Sequence, residues 1–181
     1  MNAQAVKTRN MTLIAVMAAL ICIAGPLTVP LGPIPLSLAS FAVYLAGATL
    51  GAKSGTAAVA IYLLLGMVGL PVFSGFSGGA QKLAGPTGGY LVGYLLCALV
   101  TGLGVKPGET APANRWKLPL CMALGTLVLY ALGTAWFMAQ SGNGLAASLA
   151  LCAVPFLPGD AIKIAVASLL AWPIRRAIYR K

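Results

Sequence analysis

Five stretches of this chain run 17 to 22 residues without one charged side chain: Met11–Val29, Leu36–Ala52, Ser54–Leu70, Gly88–Val105 and Leu118–Ala139. A helix of that length reaches across the roughly 30 Å hydrocarbon core of a bilayer. A sixth, Asp160–Ile178, has 19 residues and is apolar between Ile164 and Ile174. In lipid the backbone must satisfy its own polar groups, so such segments can only be helices or barrel strands. Their length fits helices. The expectation is an all-α integral membrane protein with six transmembrane helices, forming a single transmembrane domain over 1–181. The breaks are rich in proline and glycine: Pro30–Pro35, Gly69–Pro71, Gly85–Pro86 and Ser141–Gly144. Leu145–Leu157 is also apolar; with Pro155, Pro158 and Gly159 breaking it, a short helix is expected near the outer surface or dipping into the protein.

Charge is scarce and ordered. Only 8% of residues are charged, against about 25% in a soluble domain. The longest polar stretch is Lys106–Lys117, which leaves no room for a soluble enzyme domain. With the N-terminus in the cytoplasm and six crossings, ten of the twelve cations fall on the cytoplasmic side: Lys7, Arg9, Lys53, Lys106, Arg115, Lys117, Arg175, Arg176, Arg180 and Lys181. This is the positive-inside pattern of a plasma-membrane protein with both termini cytoplasmic. Trp116, Trp172 and Tyr179 fall near the same face, as interfacial aromatics do. The net charge of +10 does not imply nucleic acid, because the cations punctuate apolar runs and form no stripe. Lys7 and Arg9 before an apolar run resemble a secretory signal, yet the run is too long. Ile21 is too bulky to precede a lipoprotein cleavage at Cys22. The four cysteines lack metal or disulfide spacing and read as small buried hydrophobes, so no metal and no cofactor is expected.

Lys82 and Lys163 are the two cations off the pattern, both toward the outer side. Lys163 shares a helix face with Asp160, one of only two acids in the chain. At about 1.5 Å per residue they lie about 18 and about 22 Å from Arg175, inside the slab. Asp160 can be read as a helix N-cap after Pro158-Gly159. Lys163 gains nothing from the helix, since a cation early in a helix opposes the dipole; a private pair with Asp160 could neutralise both charges, yet a buried pair is weak evidence for stability. Intramembrane charges of this kind point by default to a ligand or ion site. The long outer loop Pro71–Tyr90 adds glycines, aromatics and Gln81-Lys82. Irregular backbone at membrane depth is tolerated where it lines a cavity.

Three motifs carry a resemblance covering about Met11 to Ile178. They are Gly69-Leu70-Pro71-Val72-Phe73-Ser74-Gly75, Gly85-Pro86-Thr87-Gly88-Gly89-Tyr90, and Pro155-Phe156-Leu157-Pro158-Gly159-Asp160-x-x-Lys163. Together they resemble BioY, the biotin-capturing S component of energy-coupling-factor (ECF) transporters. Ile34–Val43 is similar to the start of that family's second helix. The resemblance implies an S-component bundle with a biotin pocket near the outer surface. It implies Asp160 and Lys163 as biotin contacts, joined by Thr87, Gly88 and Tyr90 of the second motif and by Lys82 or Gln81. It also implies partners: a transmembrane coupling subunit and two ATPases, within membrane lipid. The small-residue pair Ala15-x-x-x-Ala19 on the first helix suits close helix approach, and the resemblance suggests it docks the coupling subunit. The Pro30–Pro35 loop is expected to occlude the pocket, with release to the cytoplasm.

Biotin's chemistry suits these residues. Asp160 can accept the two ureido N–H donors, and Lys163 or Lys82 can meet the carbonyl or the carboxylate through charge-assisted bonds. The alternative is an S component for another small vitamin or a biotin precursor. A membrane enzyme is disfavoured: there is no histidine, no carboxylate cluster and no nucleophile with an evident base. Gly47–Ser54 superficially resembles a phosphate-binding loop, but Ala52 stands where glycine is required before Lys53-Ser54, so no ATP hydrolysis is expected.

Overall fold

The computed structural model describes residues 3–29, 34–112 and 114–179. Helix α1 covers Ala3–Ala24. It stops at Gly25-Pro26 rather than running to Val29, because proline disfavours helical backbone before it and lacks an N–H. The chain then forms a two-residue ribbon: β1 (Thr28–Val29) lies antiparallel to β2 (Leu36–Ser37), with Thr28 opposite Ser37. Ser37 pins this corner. Its Oγ donates to Gly25 O at 2.9 Å and accepts the Ala39 N–H at 3.0 Å. Residues 30–33 of the loop expected to occlude the pocket lie outside the described residues.

Helix α2 (Ala39–Met67) contains one residue that is not helical, Gly51, at φ 81° and ψ 177°. The chain reverses there. A Cβ built on Gly55 would sit 2.7 Å from the Gly47 Cα, whereas eight residues along a straight helix would separate them by about 12 Å. α2 is therefore two antiparallel arms, 39–50 and 52–67. Only glycine takes the φ of the bend at no steric cost.

Five further helices and one 3₁₀ turn complete the described residues. They are α3 (Ala80–Ala84), α4 (Gly88–Gly102), α5 (Lys117–Ser141), α6 (Leu145–Cys152), a 3₁₀ turn at Val154–Phe156, and α7 (Leu157–Tyr179). α2 packs against α1, α4 and α7, and α4 also packs against α5. With the arms of α2 counted separately, six helices make the bundle: α1, the two arms, α4, α5 and α7. Its interior holds Val43, Tyr44, Val59, Tyr62, Leu118 and Met122, all essentially inaccessible.

The outer surface is as apolar as the inside. Ile23, Leu64, Leu127, Leu169 and Leu170 are exposed. A continuous exposed apolar surface marks a lipid-facing protein. Four helical stretches are long and apolar enough to cross a membrane: Val6–Ala24, Ala39–Met67, Lys117–Ser141 and Leu145–Tyr179. Gly88–Gly102 is apolar and shorter. The molecule is an all-α, multi-pass membrane bundle.

The start of α7 corrects one reading. The helix begins at Leu157, so Asp160 lies within its first turn and is not the N-cap. Pro158 fits there because the first helical N–H groups have no intrahelical partner to lose.

Candidate functional site

A cavity of about 250 Å³ opens at the end of the bundle where α7 begins. Its charged floor comes from α7, where Asp160 and Lys163 are 5% and 8% exposed. Lys163 Nζ donates to Asp160 Oδ1 at 3.0 Å, to Ser40 Oγ at 2.9 Å and to Ser37 O at 2.8 Å. An ammonium has three protons, so its donors are fully used. Tyr130, from the middle of α5, donates its OH to Asp160 Oδ2 at 2.6 Å. Ser40 Oγ lies 3.3 Å from Oδ1 as a second, longer donor. The two carboxylate oxygens offer about four acceptor sites, so Asp160 keeps capacity toward the cavity.

The walls are apolar and aromatic. Leu36, Phe73, Tyr90, Tyr94, Leu129 and Phe156 line them, with Ser74, Ser77 and Thr87 adding hydroxyls. Such a lining, with few polar groups, is typical of a small-molecule pocket. Tyr90 is fixed by donating its OH to Cys152 O at 2.8 Å, which ties α4 to the end of α6. The rim is built by α3. Trp136 Nε1 donates to Gly85 O at 2.9 Å and Gln140 Nε2 to Ala84 O at 3.0 Å, fastening the loop to α5. That fastening carries Lys82 to the mouth, where it is exposed and its ammonium makes no hydrogen bond or ion pair to the described residues.

Of the residues singled out from sequence, Asp160, Lys163, Lys82, Thr87 and Tyr90 meet at this one cavity. Two others stand apart. Gln81 is exposed and turned back on its own loop, with Nε2 donating to Gly78 O at 3.3 Å. Gly88 is buried beneath α3, and a Cβ there would run into the Leu83 carbonyl. Its role is close backbone packing, and it does not line the cavity. Ala15 and Ala19 are exposed on the outside of α1, while Ala18 packs inward.

Sequence reasoning missed Ser37, Ser40, Tyr94 and Tyr130. Ser37 and Ser40 fall in a segment that the motif comparison singled out only as a helix start. Tyr130 is one hydroxyl in an otherwise apolar span, 30 positions from the carboxylate it contacts. Spacing could not connect them. Among the described residues no group of three or more metal-ligating side chains comes together.

A lipid-embedded helical bundle with one anion and one cation held under a small aromatic cavity defines a membrane protein with a solute-sized internal site. Comparison with known proteins narrows this class. Residues 1–180 match the model of the BioY family. The biotin transporter BioY of Thermotoga maritima is 40% identical over 168 residues, covering 93% of this chain and 96% of that protein. The probable biotin transporter BioY of Pyrococcus horikoshii is 37% identical, covering 91% and 95%. A crystal structure of the S-component for biotin from an ECF-type ABC transporter superposes with a TM-score of 0.88 at 32% identity, covering 97% of this chain and 95% of that one. The chain belongs to the BioY family, and its fold is that of an ECF S component.

Proposed function

We propose that this protein captures biotin at the cavity above Asp160 and serves as the substrate-binding membrane subunit of an ECF transporter. The observation that carries the reading is the asymmetry of the buried pair. Lys163 has spent its donors on Asp160, Ser40 and Ser37, whereas Asp160 retains acceptor capacity facing an apolar, aromatic space. A ligand with an N–H donor beside an apolar ring matches that vacancy, and biotin's ureido group supplies such a donor. Lys163 then acts as a fixed counter-charge that holds the carboxylate in place. The free cation, Lys82 at the mouth, is left to meet the ligand's carboxylate. This assigns the ureido end to the floor and the valerate end to the rim. Tyr90, with Phe73 and Phe156, encloses the bicyclic ring, and Thr87 adds a hydroxyl.

The protein performs no chemistry on its ligand. Transport draws on a coupling subunit and two ATPases in the bacterial plasma membrane, with both termini and the Arg175 end cytoplasmic. The exposed Ala15 and Ala19 give α1 a shallow face against which a partner helix can pack closely.

The test is saturable binding of radiolabelled biotin to purified protein, with competition by dethiobiotin, riboflavin and thiamine. Biotin is expected to saturate one site and to be displaced only by compounds that keep the ureido group. No saturation at micromolar biotin, or displacement by riboflavin or thiamine, overturns the reading.

A further inference from the structure

A second and larger hollow, about 690 Å³, lies at the opposite end of the bundle. It is walled by the start of α1, the bend of α2, the end of α4 with its following loop, and the last turns of α7. Five cations line it: Lys7, Arg9, Lys53, Lys106 and Arg175. Among the described residues no carboxylate does. The chain has two acids. Asp160 is at the far end of α7, and Glu109 is outside the lining, with Oε2 accepting the Lys106 N–H at 2.8 Å.

The cations differ in what they can still do. Arg175 is largely committed: its guanidinium donates to the carbonyls of Ala48, Thr49, Lys106 and Glu109 at 2.6–3.1 Å. It supplies charge and a fixed floor. The Lys7 and Lys53 ammonium groups have no hydrogen bond among the described residues, and the Arg9 guanidinium rests on the Tyr179 ring at 5.8 Å. Their donors are open. Between them stand apolar side chains, Leu13, Leu50, Leu103 and Val105. Glu109 lies close enough to act on Arg175 electrostatically, yet one acid beside five cations leaves a net positive hollow, and that calls for an anion. An apolar wall beside them calls for one with a hydrocarbon body, and a hollow at the helix ends is at headgroup depth.

We propose that this crevice binds a phosphate group, and that its source is the headgroup of an anionic phospholipid seated between α1, the bend of α2 and α7. The proposal is independent of what fills the other cavity. A lipid there would brace α1 against the bend at Gly51.

The test uses the full-length protein in neutral detergent, with native mass spectrometry to count bound lipid. The probes are dioctanoyl phosphatidylglycerol, dioctanoyl phosphatidylcholine and inorganic phosphate. Wild type is expected to bind the glycerol lipid in preference to the choline lipid. Each removed cation should weaken that binding about fivefold. Lys7→Gln/Arg9→Gln/Lys53→Gln together should therefore cost about a hundredfold and leave binding of the cavity ligand at the other end unchanged. Lys53→Gln alone, at an exposed position, gives the fivefold step should the triple variant fail to fold. Equal binding of the two lipids, or undiminished binding to the variants, overturns the proposal. Displacement of the lipid by an equal concentration of inorganic phosphate overturns the lipid assignment in favour of free phosphate. Loss of assembly with a coupling subunit, with the lipid preference intact, also overturns it and assigns the cations to an acidic partner protein.

Discussion

Helix α7 buries charge at both ends, and the two burials are built differently. At its C-terminal end Arg175 is 1% exposed, lies over the Tyr179 ring at 5.1 Å, and donates its hydrogen bonds among the described residues to backbone carbonyls of the α2 bend and the loop after α4. At its N-terminal end Asp160 and Lys163 are bonded mainly to side chains and to each other, beneath an open cavity. A cation bonded to carbonyls from two chain segments is a structural clamp. An ion pair bonded to hydroxyls, with acceptor capacity left over, is a binding surface. Burial of a charge does not separate the two cases; the chemical kind of its partners does.

That distinction is broken first by Arg175→Met. Four carbonyl contacts lose their donor, and each buried polar group left unsatisfied costs about 1–3 kcal/mol. The expected loss is about 3 kcal/mol or more, read as a large drop in the detergent unfolding midpoint, with ligand affinity kept by the fraction that stays folded. A normal midpoint would refute the clamp. The opposite end should respond in the opposite way. Asp160→Asn removes the ligand's charged acceptor and is expected to weaken biotin binding about a hundredfold, since hydrogen bonds to charged groups contribute about 1.5–3 kcal/mol each. The single change also strands Lys163. Asp160→Asn/Lys163→Met removes both charges, and replacing a buried pair by apolar residues is often neutral for stability. The double variant should keep its midpoint and still fail to bind. Unfolding of both variants with no selective effect on binding would make the pair structural, like Arg175.

The rim sharpens the comparison with an intermediate effect. Lys82 is neither buried nor bonded, so Lys82→Ala should leave stability unchanged. It should weaken biotin about tenfold, a loss of about 1.4 kcal/mol. The loss should shrink as salt rises, because an exposed charge is screened. Biotinamide, lacking the carboxylate, should bind wild type and variant alike. Equal weakening of biotin and biotinamide would remove Lys82 from the carboxylate.

Much of this was legible in the sequence for a simple reason: lipid punishes charge. Asp160, Lys163 and Lys82 stood out because a charge off the topological pattern needs a cause, and the structure brings all three to one cavity. The apolar runs gave the helices because the bilayer leaves few alternatives. The spans Leu36–Ala52 and Ser54–Leu70 put the reversal at Lys53, two residues from its position at Gly51, because the lysine marks the surface while glycine supplies the bend. What failed was local. In Gly88-Gly89 the glycines serve helix packing, which depends on how α3 folds over Gly88 and how α5 lies against Gly89. Gln81 looked like Lys82's equal because neighbours on a short helix cannot be assigned to the mouth or the outside without the fastening by Trp136 and Gln140. Tyr130 and Ser40 were silent because a hydroxyl in a membrane helix most often bonds its own backbone, as Thr126 does to Met122 O at 2.8 Å.

Tyr130 therefore gives the smallest and most discriminating test. Its OH holds Asp160 Oδ2 at 2.6 Å, while Oδ1 is held by Lys163 and, at longer range, by Ser40. Tyr130→Phe removes one donor and little volume. Two effects then oppose each other. The carboxylate loses an orienting bond, which weakens the ligand, yet Oδ2 gains a free lone pair that a ureido N–H could use. One hydrogen bond to a charged group contributes about 1.5–3 kcal/mol, but the ligand recovers part of it. The net is expected to be about a threefold to fivefold loss of affinity, near 1 kcal/mol, with the unfolding midpoint almost unchanged. If Tyr130 serves only the fold, stability should fall and affinity should hold. If it competes with the ligand for Oδ2, affinity should rise. Only the modest loss at constant stability fits a side chain that aims the carboxylate at its guest.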